Sequence, residues 1–404
     1  MSTDRADSVL PVAGVRLAAV AAGIRKPDRL DLVVMELAEG SRSAAVFTRN
    51  RFAAAPVEVA REHLAGAMPR YLLINTGSAN AGTGEAGLQD CRETCALLAE
   101  GTGTEAERVL PFSTGVIGER FAVDRFAEAL PAALERLDEG NWEEAGRGIL
   151  TTDTVPKLAS RRIPVDGREI TVTGMAKGSG MIRPDMATML AFVTTDAPVA
   201  NALLQQWARE LSDASFNRIT VDGDTSTNDA CVLTATGRSG HEEIADRDTP
   251  AAHALFAALK EVFVELAQAI VRDGEGATRF VEIRVEEAAS EEDARAVADT
   301  IAHSPLVKTA LFAGDPNWGR ILAAVGRAPV PALDISRVDI RLNDVRIVHQ
   351  GQPDPDYTED RGAAACAGEE ILIGVTLGQG DASSHVWTCD FSYDYVRINA
   401  EYRT

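Results

Sequence analysis

The sequence predicts an α+β protein with large, stacked, mostly antiparallel sheets and helices packed on them. Three observations lead to this prediction: segments of alternating apolar residues, amphipathic helical stretches among them, and an apolar content of 45% in 404 residues. That content is ordinary for a globular protein, and a chain of this length can bury a full core without disulfides or metals. The length also predicts two or three folding units, or one large layered unit.

Strand and helix patterns occur along the whole chain, and they justify the fold class element by element. Strands are expected at 30–37, 43–50, 71–75, 167–175, 280–286, 338–342, 345–347, 371–377 and 385–391. Helices are expected at 88–100, 124–137, 251–271 and 290–303. We expect hairpins between 30–37 and 43–50 and across Asn343-Asp344, a helix cap at Ser290, and a kink or break at Pro131.

The charge of the chain excludes several classes of partner. Lys and Arg number 40 against 61 Asp and Glu, which gives a formal charge of -21. Nucleic acids and anionic membranes both favour clustered Lys and Arg, so we expect neither as a partner. The first residues lack the pattern of a signal peptide, and no apolar stretch approaches about 18 residues. We therefore expect a soluble, cytoplasmic protein.

Familiar cofactor and metal motifs do not fit this sequence. Gly82, Gly84 and Gly87 match G-x-G-x-x-G, but six residues separate them from the preceding strand, so we interpret them as a surface loop before a helix. The segment 222–229 lacks the Gly and Glu that an EF-hand requires. The five Cys and six His show no metal-binding spacing, so we expect no metal and no disulfide framework.

The segment 174–196 carries the strongest chemical signal. It is rich in Gly, Met and Thr, and an apolar run that is typical of a buried strand follows Thr188. The hydroxyl of Thr188 can reach the carbonyl of Ala187, and an N→O acyl shift with hydrolysis would then cut the chain there. Thr188 would become an N-terminal residue whose own amine, with a pKa of roughly 8, serves as a general base. A plain β-branched strand residue is the alternative interpretation.

Other polar segments match this chemistry. Thr114 and Gly115 follow a strand pattern, and a Thr hydroxyl with a Gly N–H can form an oxyanion hole. Lys177 is one of only five lysines among 40 basic residues, and it lies in a Gly-rich loop. Glu275 follows a Gly at the end of a predicted helix, where the helix dipole disfavours an acid. A solvated helix end is the alternative interpretation for Glu275.

Several strings together resemble the ornithine acetyltransferase / glutamate N-acetyltransferase family of arginine biosynthesis. They are STGVIGE at 113–119, TTDTVPK at 151–157, MAKGSGM and DMATML within 175–190, DTSTND at 224–229, DGEGAT at 273–278, SPLVKTA at 304–310, DPNWGR at 315–320 and RINAEYRT at 397–404. The resemblance implies a self-processing acetyltransferase whose fold is like that of N-terminal-nucleophile hydrolases.

The resemblance also implies residue roles. Thr188 would be the nucleophile, with cleavage between Ala187 and Thr188, and Thr114 with Gly115 would form the oxyanion hole. Substrate contacts would come from Thr151, Lys177, Thr188, Glu275, Asn399 and Thr404. The products would be an α chain of 1–187 and a β chain of 188–404, and 187–200 is the best boundary candidate in the sequence.

The reaction implied is acetyl transfer from N2-acetyl-L-ornithine to L-glutamate through an acetyl-Thr188 ester. No cofactor takes part in that exchange, although some members also acetylate glutamate from acetyl-CoA. The two chains would stay together, as a heterotetramer of two α and two β chains. No motif in the sequence is diagnostic of an acetyl-CoA pocket.

Three alternatives remain open at this point. An amidase or aminopeptidase of the same self-cleaving type would hand the acyl group to water. A nucleotide-dependent oxidoreductase would use Gly82, Gly84 and Gly87. A non-catalytic metabolite-binding protein would keep its chain intact.

Overall fold

The computed structural model describes residues 9–183 and 189–401. These residues form two compact units, each made of several stretches of chain. The first unit comprises 9–178, 189–217 and 225–270, and the second comprises 179–183, 218–224 and 271–401.

The first unit contains two sheets and six helices among the described residues. Its elements are β1 (Val15–Val20), β2 (Leu32–Leu37), β3 (Arg42–Phe47), α1 (Ala55–Gly66), β4 (Tyr71–Ser78), α2 (Gly84–Thr102), β5 (Val109–Val116), α3 (Val123–Glu135), α4 (Trp142–Gly148), β6 (Lys157–Val165), β7 (Arg168–Lys177), β8 (Leu190–Thr195), α5 (Asn201–Ala214), β9 (Ala230–Ala235) and α6 (Pro250–Arg272). One sheet has the order β1-β2-β4-β5 and the other β3-β9-β8-β7-β6. Only β4–β5 and β8–β9 are parallel among their strand pairs.

The two sheets of the first unit stack on one hydrophobic core. Apolar side chains of β1, β2, β4 and β5 pack against those of β7, β8 and β9. Phe112 and Phe192 meet edge to face across this core, with ring centroids 5.0 Å apart. Such a contact adds to the hydrophobic burial of both rings. The predicted stacking of mostly antiparallel sheets is confirmed.

Helices cover the outer face of each sheet in the first unit. On one side, Leu98 of α2 and Phe126 of α3 are buried against side chains of β1, β2 and β4. On the other side, α5 lies along β3 and β9. A Cβ at Gly174 of β7 would lie 2.9 Å from Leu266 of α6, so the glycine permits this close approach. The layers are therefore helix, sheet, sheet and helix, and the α+β class is confirmed.

The second unit is built on one six-stranded sheet. Its elements are β10 (Phe280–Ala288), α7 (Glu291–Ala302), α8 (Pro305–Ala313), α9 (Trp318–Gly326), β11 (Asp339–Leu342), β12 (Val345–His349), β13 (Gln352–Pro353), α10 (Glu359–Ala365), β14 (Glu370–Thr376), β15 (Ala382–Cys389) and α11 (Tyr393–Ala400). The strand order is β13-β12-β11-β14-β10-β15, and among the strand pairs of the described residues in this sheet only β10–β14 is parallel. Helix α7 packs on β10 and β15 and closes the hydrophobic core of this unit.

Most of the expected local signals are present in the structure. The hairpin across Asn343 joins β11 and β12, and Asn343 has the positive φ of 49° that this turn requires. The Ser290 side chain caps α7 by accepting a hydrogen bond from the Asp293 N–H. Gly82 and Gly84 are exposed and precede or begin α2, as expected of a surface loop before a helix, but Gly87, expected in the same loop, is buried within α2.

Two local expectations are wrong. β2 and β3 do not form a hairpin, because they belong to different sheets: β2 pairs with β1 and β4, and β3 pairs with β9. The break, one of the two outcomes expected at Pro131, does not occur, because α3 continues through it to Glu135. The buried side chains of Phe126, Leu130 and Ala133 hold this helix against the core, which offsets the hydrogen bond that proline removes.

The compact units do not follow the stretch that the sequence favoured as a boundary. Strand β8 lies inside 187–200 and is the middle strand of a five-stranded sheet. A continuous apolar run predicted a strand there, but it could not reveal that strands on both sides of it pair with this strand. The division into 1–187 and 188–404 concerns cleavage and stays a prediction. No helix in residues 9–183 and 189–401 is long and apolar enough to cross a membrane.

Candidate active site

The end of β5 places Thr114 and Gly115 beside β4. Gly115 pairs with Gly77 in the parallel ladder, and its φ of 135° is one that side chains rarely adopt. A Cβ on Gly115 would lie only 2.4 Å from the carbonyl carbon of Gly77. Glycine is therefore required where these two strands approach. Both Thr114 and Gly115 remain partly exposed, so a small molecule can reach them.

Lys177, the last residue of β7, connects two of the predicted site residues. Its side chain is largely buried, with the residue only 7% exposed. Its Nζ donates to Thr151 Oγ1 at 2.8 Å and to Thr114 Oγ1 at 3.3 Å. The first unit thus brings together Thr114, Gly115, Thr151 and Lys177, as the sequence-based site predicted. A cation and two hydroxyls in one place can bind or stabilise an anionic oxygen.

Asp153 is a part of this cluster to which the sequence analysis gave no role. Its carboxylate lies 2.7 Å from Lys157 Nζ and 3.7 Å from Lys177 Nζ. Burial raises the pKa of Asp153, but the charges of Lys177 and Lys157 outweigh burial and hold that pKa well below its ordinary value. The rarity of lysine could have drawn attention to Lys157, which lies four residues after Asp153.

Asp229 is a second carboxyl group without a predicted role. It directly precedes β9, is 2% exposed, and its Oδ2 has no hydrogen-bond partner among the described residues. Burial raises the pKa of Asp229 well above its ordinary value, although hydrogen bonding to Ser226 and the charge of Lys177 oppose this. The carboxyl group of Asp229 therefore holds a proton more readily than that of Asp153.

The second unit brings together two other predicted substrate contacts. Glu275 is 6% exposed, and its Oε2 accepts a hydrogen bond from Asn399 Nδ2 at 2.8 Å. A Cβ on Gly180 would lie 2.4 Å from this carboxylate, so a larger residue at 180 would displace the Glu275 side chain. Glu275 is therefore not a solvated helix end, and the alternative interpretation for this residue is wrong.

Three predicted residues lie outside the described part of the chain. They are Ala187 and Thr188, where cleavage is predicted, and Thr404, a predicted substrate contact. Within 9–183 and 189–401, no group of three or more His, Cys, Asp or Glu side chains could hold a metal ion.

Comparison with known proteins identifies the family. The model of the ArgJ family matches residues 16–404. The chain is 59% identical over 394 residues to the arginine biosynthesis bifunctional protein ArgJ of Methylococcus capsulatus, covering 98% of this chain and 96% of that protein. It is 55% identical over 398 residues to the protein of the same name from Pseudomonas fluorescens, covering 98% and 97%.

A solved structure is also similar. The crystal structure of arginine biosynthesis bifunctional protein ArgJ from Bacillus halodurans matches with a TM-score of 0.50 and 39% identity. The match covers 52% of this chain and 97% of that chain. With a family model that spans nearly the whole sequence, and relatives above half identity, the chain belongs to the ArgJ family.

Proposed function

We propose that this protein transfers an acetyl group from N2-acetyl-L-ornithine to L-glutamate in arginine biosynthesis. Membership of the ArgJ family supports this reaction. The observation that supports it most directly is the contact of Lys177 Nζ with the hydroxyls of Thr114 and Thr151. The exchange needs no cofactor, and acetyl-CoA is proposed as a second acetyl donor, in keeping with relatives that are named bifunctional.

The nucleophile in this proposal is Thr188. Its hydroxyl attacks the acetyl carbonyl, its α-amine takes the hydroxyl proton, and the ornithine amine leaves with a proton. The amine of glutamate then attacks the acetyl ester, and the Thr188 hydroxyl is restored. The hydroxyl of Thr114 and the N–H of Gly115 would stabilise the oxyanion in both steps.

Both substrates carry an α-carboxylate, N2-acetyl-L-ornithine also carries a δ-ammonium group, and the predicted contacts suit these groups. Lys177 and Thr151 would bind a carboxylate, and Glu275 with Asn399 would bind the cationic end. Asn399 donates one hydrogen bond to Glu275 and so fixes the direction of that carboxylate. Thr404 completes the proposed set of contacts.

Cleavage between Ala187 and Thr188 would produce the free amine on which this mechanism depends. The match to the Bacillus halodurans ArgJ structure covers 97% of that chain but only 52% of this one, which is about 210 of 404 residues. A chain of about that length in a solved relative supports a two-chain organisation. The β chain of 188–404 would have 217 residues. We propose that the α and β chains stay together as a heterotetramer in the cytoplasm.

An assay with two substrates tests the reaction. Purified protein is given N2-acetyl-L-ornithine with and without L-glutamate, and ornithine and N-acetylglutamate are measured. We expect both products, in equal amounts, only when glutamate is present. Without glutamate, formation of the acetyl ester should release at most one ornithine per active site. Continued ornithine release in the absence of glutamate would instead identify an amidase that uses water.

A denaturing gel tests the nucleophile. Cleavage at 187/188 divides 43.0 kDa over 404 residues into fragments of about 20 and 23 kDa. N-terminal sequencing of the larger fragment should begin at Thr188. We expect the Thr188→Ala variant to remain a single chain and to be inactive. An intact Thr188→Ala chain with full activity would disprove this mechanism.

A further inference from the structure

One carboxylate, that of Asp153, holds two lysines in the first unit. The side chains of Asp153 and Lys157 have no exposed surface, and that of Lys177 is 9% exposed. Asp153 Oδ1 lies 2.7 Å from Lys157 Nζ, and Oδ2 lies 3.7 Å from Lys177 Nζ. Removing one partner of a buried ion pair is strongly destabilising, so each of these groups depends on the others.

The same carboxylate also holds two backbone groups. Asp153 Oδ1 accepts from the Gly178 N–H at 2.7 Å, and Oδ2 accepts from the Thr151 N–H at 3.0 Å. Thr151 begins the loop 151–157, and Gly178 follows Lys177 at the end of β7. Asp153 therefore fastens this loop to the end of the strand, and it fixes both the backbone and the ammonium group of Lys177.

The charges of this cluster favour an anion. Two ammonium groups share one carboxylate, and the closer contact of Asp153 is to Lys157. Lys177 makes the longer ion pair and directs its hydrogen bonds to the hydroxyls of Thr151 and Thr114. Positive charge in a site with little water is worth far more than in bulk water.

The hydrogen bond from Lys177 determines what the Thr114 hydroxyl can do. An ammonium group has donors only, so Thr114 Oγ1 must accept in this contact. The single proton of Thr114 is then available to another acceptor. An acceptor bound at the end of β5 would receive that proton, and the neighbouring ammonium would strengthen the bond.

We propose that Asp153 is a positioning residue for acetyl transfer: it holds Lys177 so that Lys177 orients the Thr114 hydroxyl toward the acetyl oxygen. This inference rests on the proposed function, because it assigns Thr114 to the oxyanion hole. Asp153 does not touch the substrate and acts through Lys177. Lys157 balances the charge of Asp153 and keeps it in place.

A double-mutant cycle tests this chain of contacts. Asp153→Asn, Thr114→Ala and the double variant are compared with wild type for kcat and KM. We expect Asp153→Asn to lower kcat at least about tenfold, since the removal of one oxyanion donor lowers kcat about 10²–10³-fold. In the Thr114→Ala background, Asp153→Asn should change kcat little, because the hydroxyl through which Asp153 acts is gone.

Asp196→Asn is the matched control. Asp196 is also buried in the first unit and accepts from the Thr171 N–H at 2.9 Å, near the opposite end of β7. Its effect on kcat should be the same with and without the Thr114 hydroxyl. The inference is overturned if Asp153→Asn lowers kcat equally with and without the Thr114 hydroxyl, as the control should, or if it leaves kcat unchanged. In either case the proposed function stands. Failure of wild type to transfer acetyl would instead remove the proposed function.

Two further measurements keep the test decisive. Acetyl transfer from p-nitrophenyl acetate, measured as release of p-nitrophenolate, keeps the weakest variants measurable because this leaving group needs no protonation. If Asp153→Asn does not fold, Asp153→Glu preserves the charge and shifts the carboxylate by one methylene. The same non-additivity with Thr114→Ala is expected for Asp153→Glu, and equal losses in both backgrounds would refute the positioning role.

Discussion

Two buried lysines, Lys177 in the first unit and Lys308 in the second, have different surroundings. Lys177 lies near the carboxylate of Asp153 and donates to two threonine hydroxyls. Lys308 is 1% exposed and donates to Thr388 Oγ1 at 2.8 Å and to the backbone carbonyl of Cys389. Its ammonium group also lies 4.5 Å from the centre of the Phe391 ring.

The difference separates a lysine that we propose to act in the reaction from one whose contacts are structural. Burial lowers the pKa of Lys308, and its contacts are with neutral groups that fasten α8 to the end of β15. The contacts of Lys177 include hydroxyls at the partly exposed end of a strand, where a ligand can bind. Burial of a lysine alone therefore does not identify a site, and the partners of the ammonium group decide its role.

The largest effect is expected for Lys177→Met. Loss of the ammonium group removes the donor to Thr114 and Thr151, and kcat/KM should fall about 10²–10³-fold. Loss of this ion-pair partner should lower stability, but Asp153 keeps Lys157, its closer partner, so the variant should still fold. Steady-state kinetics and thermal unfolding measure the two effects. Lys260→Met, at an exposed position of α6, is the control, and equal activity of the two variants would contradict the comparison.

A smaller effect, on stability, is expected for Lys308→Met. The variant leaves the Cys389 carbonyl and the Thr388 hydroxyl without a buried donor, which should lower the free energy of unfolding by about 1–3 kcal/mol. Urea unfolding measures this change. Activity per folded molecule should stay close to that of wild type. A large loss of activity without a loss of stability would place Lys308 in the reaction.

The smallest effect concerns His303, which lies near Lys308 in the second unit. Burial, aided by nearby positive charges that include Lys308, lowers the pKa of His303 from 6.5 to about 4. The unfolded chain therefore binds a proton between those values and the folded chain does not, so stability falls as pH falls from 6.5 to 4. The full shift corresponds to about 3 kcal/mol, and because His303 is partly exposed, solvent screening should reduce the loss in wild type over this range to about 1–2 kcal/mol.

His303→Gln should lack most of that pH dependence. Urea unfolding at several pH values compares the two proteins. Lys308→Met should keep most of the slope, because burial is the larger cause of the shift. Identical slopes for wild type and His303→Gln would show that His303 is not the group that titrates.

Much of the fold and of the site could be predicted because the signals are local. A short apolar run identified β4, strand-like patterns identified β7 and β10, and the Ser290 cap identified the start of α7. The same signals could not identify strand partners: β3 pairs with β9, which comes almost two hundred residues later, so the expected hairpin with β2 does not form. Similarly, the sequence predicted a polar loop that contains Asp153 and Lys157, but it could not predict that this loop contacts the end of β7.

The sequence by itself determined the fold class, the family and most of the candidate residues. Hydrophobic periodicity and family motifs involve residues that are close together in the chain, so both can be recognised without a structure. Only the tertiary structure decided which side chains share an environment. It joined Lys177 to Thr114, buried Glu275 beside Asn399, and gave Asp153 two lysine partners. These contacts depend on which strands pair and which side chains are buried, and neither can be read from neighbouring positions in the sequence. The same two factors determine how readily each of these side chains binds a proton.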